Sequence, residues 1–505
     1  MSQAWQRPAV VLAVLIATAA SSGVAQKHDW IPIKCDLKPG HYLVNSGVLY
    51  LQDAATTQFA DKREKDLRDA FKVLDQALRS GQQKNPAAWY YLGRYYVEMQ
   101  DAGGADSAFT KAVTLAPTCE KDVNDWRRTL WVPVLNAGIT AWQSGNTDSA
   151  IASFRRANQI YKAEPQGFAY LATLHSNAGQ PDSAALYFKL AIQAAQDPKY
   201  AKDKKSAMFN LARVYHAANR WDDASQAYKA YLAAYPGDVQ AIAGLASVYT
   251  AQGKWDDAKA QYTQLFQHAD SANAEDLFLA GQEILNVVAS SPDTAALGSG
   301  CRSSAGAART GHALTARQIA AKCDSVTRKA VSDFAAASRG DYPLAIQAYE
   351  AGLAKQPYHR EALYRLAAAS ALAGDTARTL SAAQRLYAVD PLNRATVRMV
   401  AQAWQLKGKP DSTLRYLKMA DSIPVDVSVT GLTTDTLGAA LRGVFSNFHS
   451  KQSQSVSLVF EFLRAKGEVA ATVPQTVGPI APNGNQPFEV KATGAGIVSW
   501  RYKRP

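Results

Sequence analysis

Histidine, the side chain best suited to acid–base and metal chemistry near neutral pH, occurs eight times and is scattered along the chain. There is no His-Glu-x-x-His zinc motif and no Gly-x-Ser-x-Gly nucleophile turn. A Gly-Lys-Ser/Thr phosphate loop is also missing, since Gly253-Lys254 is followed by Trp255. We therefore predict that the chain is not an enzyme and has no catalytic residue, metal site or cofactor. The histidines are His28, His41, His175, His216, His268, His312, His359 and His449.

An enzyme with an unrecognised catalytic site is kept as an alternative. It would need a pocket in which a serine or cysteine lies within hydrogen-bond reach of one of the eight histidines. Acidic pairs offer no better candidate for acid–base work. Asp222-Asp223 and Asp256-Asp257 stand where helices are predicted to begin, and there a carboxylate complements the helix dipole.

The first 25 residues have the character of a targeting signal. Arg7 precedes an apolar run, Ala9 to Ala20, in which only Thr18 is polar, and small residues then lead to Ala25. A basic start, a short apolar run and a small residue before the cut are typical of a secretory signal peptide. We predict cleavage after Ala25 and export to the periplasm or cell envelope. An uncleaved segment that anchors the chain in a membrane is the alternative.

Four cysteines in 505 residues are too few for a disulfide-stapled scaffold, but export would place them in an oxidising compartment. Cys301 and Cys323 flank one unusual segment and could close a short loop, which leaves Cys35 and Cys119 to each other. Two disulfides with these pairings are the favoured interpretation, and buried free thiols are the alternative. No cysteine lies two to four residues from another cysteine or a histidine, so the spacing disfavours a metal site.

A block of similar sequence recurs through the middle of the chain. Gly145-Asn-Thr-Asp-Ser-Ala150 returns 34 residues later as Gly179-Gln-Pro-Asp-Ser-Ala184. Asn219-Arg-Trp-Asp-Asp-Ala224 likewise returns as Gly253-Lys-Trp-Asp-Asp-Ala258. Glycine suits the end of one helix, Asp or Ser suits the start of the next, and alanine is small where the two cross. The period predicts stacked helix pairs. Copies with the same step end at Ala345, Thr379 and Thr413.

These blocks resemble tetratricopeptide repeats (TPRs). The family's Trp-x-x-Leu-Gly-x-x-Tyr motif is present from Trp89 to Tyr96. The resemblance implies an α-solenoid of about eight helix-turn-helix repeats over residues 60–424, preceded by an N-terminal extension at 26–59. The predicted fold class is therefore mostly α, with a small all-β sandwich after the solenoid. Recognisable repeats begin near residues 86, 131, 165, 205, 239, 360 and 394.

The first recognisable repeat allows two registers for its second helix. Matching Ala105 and Phe109 to the family pattern puts Gly103-Gly104 inside a helix, at a cost of about 1 kcal/mol for each glycine. We prefer a small turn insertion that aligns Asp106-Ser107-Ala108 with Asp148-Ser149-Ala150.

One repeat is interrupted. Its first helix is predicted over Glu275 to Ala289, but the matching second helix, from Tyr342, comes about 40 residues late. Between them, an Ala/Gly/Ser-rich insertion at about 290–316 has side chains too small to build a core, and a helix is predicted from Thr315 to Ser338. The insertion is either a tolerated surface segment or a partner-docking arm.

After Pro424 the apolar pattern changes from helical to alternating. About six short strands, separated by turn signals such as Pro482-Asn-Gly, predict a β-sandwich over 425–505. The run Phe460-x-Phe462-Leu463-Arg464-x-x-Gly467-x-Val469 resembles the FxLYD-type immunoglobulin-like domains of bacterial envelope proteins. It departs from that pattern at Phe462, Leu463 and Arg464. Such domains imply packing or binding rather than chemistry.

The TPR resemblance also implies a partner-binding groove lined by the first helix of each repeat. Its positions here carry aromatic, Arg and Asn side chains, which suit peptide capture, although ordinary packing is the alternative for each. Asn136 and Asn210 match one asparagine of the family's carboxylate-clamp subset, but their neighbours do not complete it, so no such clamp is predicted. The groove positions are Tyr90, Tyr91, Arg94, Asn136, Trp142, Tyr170, Asn177, Phe209, Asn210, Arg213, His216, Tyr364 and Arg365.

The net charge and the hydropathy exclude further classes of function. Lys and Arg number 55 against 43 Asp and Glu, a net charge of +12, and export argues against nucleic acid as the partner. The absence of long apolar runs excludes a polytopic membrane protein. The leading hypothesis is a non-enzymatic, exported protein–protein interaction scaffold, an accessory or assembly subunit of a cell-envelope or membrane complex. A binder of anionic envelope polymer or lipid head groups is the alternative.

Overall fold

The computed structural model describes residues 29–290, 293–307 and 315–505. The predicted signal peptide at 1–25 lies outside these residues. The chain divides into two compact units between Ala207 and Met208.

The first unit is built from helices that pack as consecutive pairs. The eight α-helices that lie wholly within its described residues are α1 (Tyr42–Thr56), α2 (Ala60–Arg79), α3 (Pro86–Glu98), α4 (Ala102–Leu115), α5 (Glu120–Gln143), α6 (Thr147–Ile160), α7 (Gln166–Asn177) and α8 (Pro181–Ala194). Helix α1 packs against α2, α3 against α4, α5 against α6 and α7 against α8. Because α1 falls inside the segment predicted as an N-terminal extension, helix pairing begins before residue 60.

The second unit is helical up to Asp421. Its helices are α9 (Ala201–Ala217, which begins in the first unit), α10 (Trp221–Ala234), α11 (Val239–Ala251), α12 (Trp255–Gln267), α13 (Ala274–Val288), α14 (Thr294–Ala307), α15 (Ala316–Arg339), α16 (Tyr342–Lys355), α17 (Arg360–Ala373), α18 (Thr376–Val389), α19 (Arg394–Leu406) and α20 (Pro410–Asp421). The described residues thus hold 20 α-helices, and the prediction of a mostly helical array is confirmed.

Glycine on one helix lets an aromatic ring of the next helix approach the backbone. A Cβ atom on Gly93 of α3 would lie 2.5 Å from the ring of Phe109 of α4. A Cβ atom on Gly138 of α5 would likewise lie 2.6 Å from the ring of Phe154 of α6. The ring occupies the volume that a side chain would need, so glycine and ring are matched features of each pair.

The predicted turn insertion at Gly103-Gly104 is wrong, because α4 includes both glycines. The Asp101 side chain caps this helix, and its Oδ1 accepts hydrogen bonds from the backbone N–H groups of Gly103 and Gly104 at 3.1 and 3.0 Å. A Cβ atom on Gly104 would lie 2.5 Å from the ring of Tyr96. The glycines therefore serve the cap and close packing, which offset their poor helix propensity.

The interrupted repeat closes across its insertion. Helix α16 is the predicted late second helix, and it packs against α13 although α14 and α15 intervene in the chain. The Tyr342 hydroxyl donates a hydrogen bond to the carbonyl of Val288 at 3.2 Å. A Cβ atom on Gly352 of α16 would lie 2.3 Å from the ring of Phe278 of α13. Pairing in this array thus depends on complementary surfaces rather than on adjacency in sequence.

Part of the insertion predicted at about 290–316 is helical, since α14 lies within it. Helix α14 packs against α15, which agrees closely with the helix predicted from Thr315 to Ser338. A disulfide joins Cys301 of α14 to Cys323 of α15. Small residues argue against a large core but not against a helix, because alanine is a strong helix former and a cross-link can hold two helices together.

Six antiparallel strands follow the helices and form two three-stranded sheets. They are β1 (Asp426–Thr434), β2 (Gly438–Ser446), β3 (Val456–Arg464), β4 (Val469–Val477), β5 (Asn485–Thr493) and β6 (Ile497–Lys503). One sheet has the order β1-β2-β5 and the other β4-β3-β6. The sheets meet where the rings of Phe460 of β3 and Phe488 of β5 lie 5.7 Å apart between centroids. The predicted two-sheet β region is confirmed.

A buried polar network joins the β region to the last repeats of the second unit. Asp390 is fully buried, and its carboxylate pairs with the guanidinium of Arg360 at 3.0 Å. The Tyr502 hydroxyl of β6 donates to Asp390 at 2.6 Å and accepts the backbone N–H of Leu392 at 3.0 Å. Burial raises the pKa of Asp390, whereas Arg360 and Tyr502 favour its ionised form. The β region is therefore packed against the repeats rather than tethered to them.

We predict that Gly352→Ala destabilises the protein by about 1–3 kcal/mol, because the new methyl group would overlap the ring of Phe278. Gly340 is the matched control, since it has a helical φ of −68° and open space around its Cβ position. Gly340→Ala should leave stability unchanged or raise it slightly, because alanine restricts the unfolded chain. Urea denaturation followed by circular dichroism measures both variants, and equal midpoints would contradict the expectation.

Candidate interaction surface

Three of the predicted groove residues are buried, and one of them, Arg94, contacts the chain's own N-terminal segment. Tyr90, Tyr91 and Arg94 of α3 are buried, and only 4% of Arg94 is exposed. The Arg94 guanidinium lies between the indole rings of Trp30 and Trp126, 3.9 and 4.3 Å from their centroids. Its Nη1 donates a hydrogen bond to the carbonyl of Ile31 at 2.8 Å. In this structure the α3 face is an internal packing surface.

The N-terminal part of α5 completes this cluster. Helix α5 begins at Glu120, well before the predicted repeat start near 131, and the added turns carry Asp122 and Trp126. The Tyr90 hydroxyl donates to the Asp122 carboxylate at 2.6 Å and accepts a hydrogen bond from the Trp126 indole at 2.9 Å. A disulfide between Cys35 and Cys119 ties the N-terminal segment to the start of the same helix.

We predict that Arg94→Ala loosens residues 29–40. It removes a buried cation, its hydrogen bond to Ile31 and two cation–π contacts, which together cost about 2–4 kcal/mol. Hydrogen exchange should become faster in residues 29–40, while the disulfide keeps the segment attached. Arg213→Ala, at an exposed arginine, is the control and should leave the exchange of this segment unchanged. Unaltered exchange in Arg94→Ala would contradict the assignment.

The other predicted residues of the first unit differ in accessibility. Asn136 and Asn177 are exposed on α5 and α7. Trp142 and Tyr170 are half-buried and meet edge to face, with ring centroids 5.8 Å apart. These two rings form a local aromatic contact, and nothing else in it points to chemistry.

In the second unit, the predicted residues lie at the surface of first helices. Arg213 of α9 is exposed, and its guanidinium lies 5.9 Å from the ring centroid of the half-buried Phe209. Asn210 and His216 are half-buried on the same helix. The half-buried Tyr364 and Arg365 are on α17, where Arg365 forms an ion pair with Glu361 at 2.7 Å.

A line of polar groups crosses three successive first helices of the second unit. His216 of α9 lies 3.4 Å from the hydroxyl of Ser247 of α11, and that hydroxyl donates to Glu283 of α13 at 2.9 Å. The other oxygen of Glu283 accepts a hydrogen bond from the buried Tyr262 of α12 at 2.7 Å. We name His216, Ser247, Glu283 and Tyr262 the Glu283 cluster.

Sequence reasoning found only His216 of these four residues. Ser247 occupies the position that Arg213 holds one repeat earlier, 34 residues before it in the chain. The repeat step could therefore have identified Ser247 as a groove position. Glu283 gives no such signal, because its contacts come from other helices of the array.

The Glu283 cluster contains a serine beside a histidine but lacks the order that nucleophilic catalysis needs. In a serine–histidine–acid site the carboxylate holds the far side of the imidazole, and the imidazole takes the serine proton. Here the carboxylate binds the Ser247 hydroxyl itself, so the hydroxyl proton points to Glu283 and not to His216. The arrangement does not activate the serine, although it can bind a ligand.

Burial dominates the electrostatics of the cluster. It raises the pKa of Glu283, while the hydrogen bonds from Tyr262 and Ser247 act in the opposite direction. Burial also lowers the pKa of His216, and the positive charge of Arg213 lowers it further. The imidazole is thus favoured in its neutral form and does not act as the counter-charge of Glu283.

We predict that Glu283→Gln makes the fold more stable at neutral pH. A group whose pKa is raised by folding stabilises the fold below its unfolded pKa, and this contribution is lost as the pH rises through the folded pKa. The wild type should therefore lose stability with rising pH relative to Glu283→Gln, and the two should converge at low pH. Thermal unfolding measured across a pH series tests this. A constant difference between the two would contradict it.

Comparison with known families identifies the repeats. Models of the tetratricopeptide repeat family match residues 86–119, 171–239 and 215–277. The helices form a tetratricopeptide repeat array. TPR arrays are protein–protein interaction scaffolds that are typically non-enzymatic, and the matched regions include no catalytic domain. A search of the curated proteins found no match.

Several solved structures contain similar helices. The MamA protein is 19% identical over 38% of this chain and 93% of its own, with a TM-score of 0.25. A TPR protein from Parabacteroides merdae is 13% identical over 58% and 93%, with a TM-score of 0.29. PilW, a type IV pilus biogenesis factor, is 19% identical over 45% and 93%, with a TM-score of 0.23. Neither the functions nor the partners of these proteins are carried over to this chain.

The chain also has features that bear on metal binding and location. Across the described ranges, no group of three or more His, Cys, Asp and Glu side chains could hold a metal ion. None of the helices in these ranges is long and apolar enough to cross a membrane. The two disulfides pair Cys35 with Cys119 and Cys301 with Cys323, and such bonds favour an oxidising, extracytoplasmic location.

Proposed function

We propose that this chain is a non-enzymatic, exported scaffold that binds a protein partner through the first helices of its second unit. We further propose that it serves as an accessory or assembly subunit of a cell-envelope complex. The TPR array supports the scaffold role. The two disulfides and the signal-like residues 1–25 support export.

The observation that carries this proposal is the difference between first helix α3 and first helix α9. On α3, the groove positions are buried, and Trp30 and Ile31 of the N-terminal segment contact Arg94. On α9, Arg213 is exposed and Phe209, Asn210 and His216 are half-buried, so the same kind of surface can be reached by a partner. Aromatic and arginine side chains at an accessible surface are the residues that most often anchor protein partners.

Site-specific photo-crosslinking tests the proposal. A photoreactive phenylalanine analogue replaces Arg213 on first helix α9 or, in the matched control, the exposed Gln226 on second helix α10. Each variant is irradiated in envelope extracts of the source cells. We expect a discrete protein adduct from position 213 that excess unlabelled chain competes away, and little adduct from position 226. Equal, uncompeted labelling at both positions would overturn the proposal.

A further inference from the structure

We infer that Glu283, Ser247 and His216 form a subsite for a primary ammonium group of a bound peptide, from a lysine side chain or a free N-terminus. This inference rests on the proposed function and specifies what the second unit recognises. It is carried by the geometry of the Glu283 cluster, which spans three successive first helices. A partner lying across these helices would pass the cluster.

The carboxylate of Glu283 lacks the counter-charge that other shielded carboxylates of the chain have. Asp390 pairs with Arg360 at 3.0 Å, and Glu461 pairs with Arg501 at 2.6 Å. Among the described residues, Glu283 has hydroxyl donors only, one on each oxygen. A shielded carboxylate is costly to keep ionised without a cation, so a positively charged ligand would gain free energy by supplying one.

Neither His216 nor Arg213 supplies the missing counter-charge to Glu283. His216 faces the Ser247 hydroxyl, and burial together with Arg213 lowers the pKa of its imidazole. Arg213 is exposed and lies beside the ring of Phe209. The remaining titratable neighbour is Tyr262, whose pKa burial raises, so it stays neutral and acts as a hydrogen-bond donor.

The hydrogen-bond pattern favours an ammonium group over a guanidinium group. Each Glu283 oxygen already accepts one hydroxyl hydrogen bond, and a guanidinium fork needs both oxygens free in one plane. An ammonium group is compact and its three donors can be directed separately. One donor can reach a remaining lone pair of Glu283, and the Ser247 oxygen, which His216 contacts at 3.4 Å, can accept another.

The cluster is accessible and fixed in position. His216, Ser247 and Glu283 are all half-buried, so part of each can be reached from solvent. Tyr262 is fully buried, and its hydroxyl donates a hydrogen bond to the Glu283 carboxylate. The net charge of +12 opposes non-specific attachment of cationic peptides, so retention of a lysine peptide would require a specific contact.

Binding of peptide pools to the immobilised full-length chain tests the subsite. The probe is a pool of acetylated, amidated pentapeptides with a central lysine and randomised flanks. One matched pool has norleucine at the centre, and a second has norleucine with a free N-terminus. Peptides retained on immobilised protein are counted by mass spectrometry. Glu361→Gln, on first helix α17 and already paired with arginine, is the control for Glu283→Gln.

We expect the lysine pool or the free N-terminus pool to be enriched about tenfold over blocked norleucine, the effect of one charge-assisted hydrogen bond. Glu283→Gln should abolish this preference and Glu361→Gln should keep it. The preference should weaken as the pH falls, because protonation of Glu283 removes the charge. Which pool is enriched distinguishes the lysine side chain from the terminal amine.

Two results would overturn the inference. In one, the three pools are retained equally, which leaves the photo-crosslinking proposal intact and removes only the ammonium subsite. In the other, lysine is preferred but Glu283→Gln keeps the preference, which places the contact elsewhere. Circular dichroism shows that each variant is folded before it is tested.

Discussion

The packing of an aromatic ring of the second helix against glycine of the first is a contact that several helix pairs of the array share and that sets how closely their helices approach. Gly93 with Phe109 and Gly138 with Phe154 show it in the first unit, and Gly281 with Tyr349 shows it across the insertion. A side chain on the glycine or a smaller residue in place of the ring would separate the helices or leave a cavity. Because each of these contacts lies within one helix pair, it stabilises that pair locally.

Shielded carboxylates show how the same chain serves stability in one place and accessibility in another. Asp390 lies where the β region meets the repeats, and Arg360 and Tyr502 satisfy it from both sides. Glu283 lies on the accessible side of first helices and is held by hydroxyl groups alone. The first arrangement locks two parts of the second unit together. The second leaves a carboxylate at an accessible surface without a charged partner among the described residues.

Much of the fold follows from periodicity, which is a local property of sequence. The 34-residue step locates the helix pairs, Tyr342 marks the late second helix α16, and alternation after Pro424 indicates the strands. Propensity misleads at Gly103-Gly104, because a cap from Asp101 and the ring of Tyr96 decide the outcome there.

The interaction surface was much harder to predict, because its contacts join residues far apart in sequence. Arg94 contacts Trp30, Ile31 and Trp126, and no regular sequence spacing relates these three residues to one another. Ser247 meets Glu283 only because consecutive first helices lie side by side. The repeat pattern indicates which helices line a surface. It does not indicate which of their residues a distant segment covers.

The closure of α13 on α16 has a consequence for how such chains diversify. Helices α14 and α15 are inserted in the chain between α13 and α16, and these two helices pack against each other. We therefore expect that another module could replace α14 and α15 without disturbing α13 and α16, provided that its termini fit between the ends of these two helices. The site is a natural graft point, where new binding specificity can be gained while the scaffold is inherited unchanged.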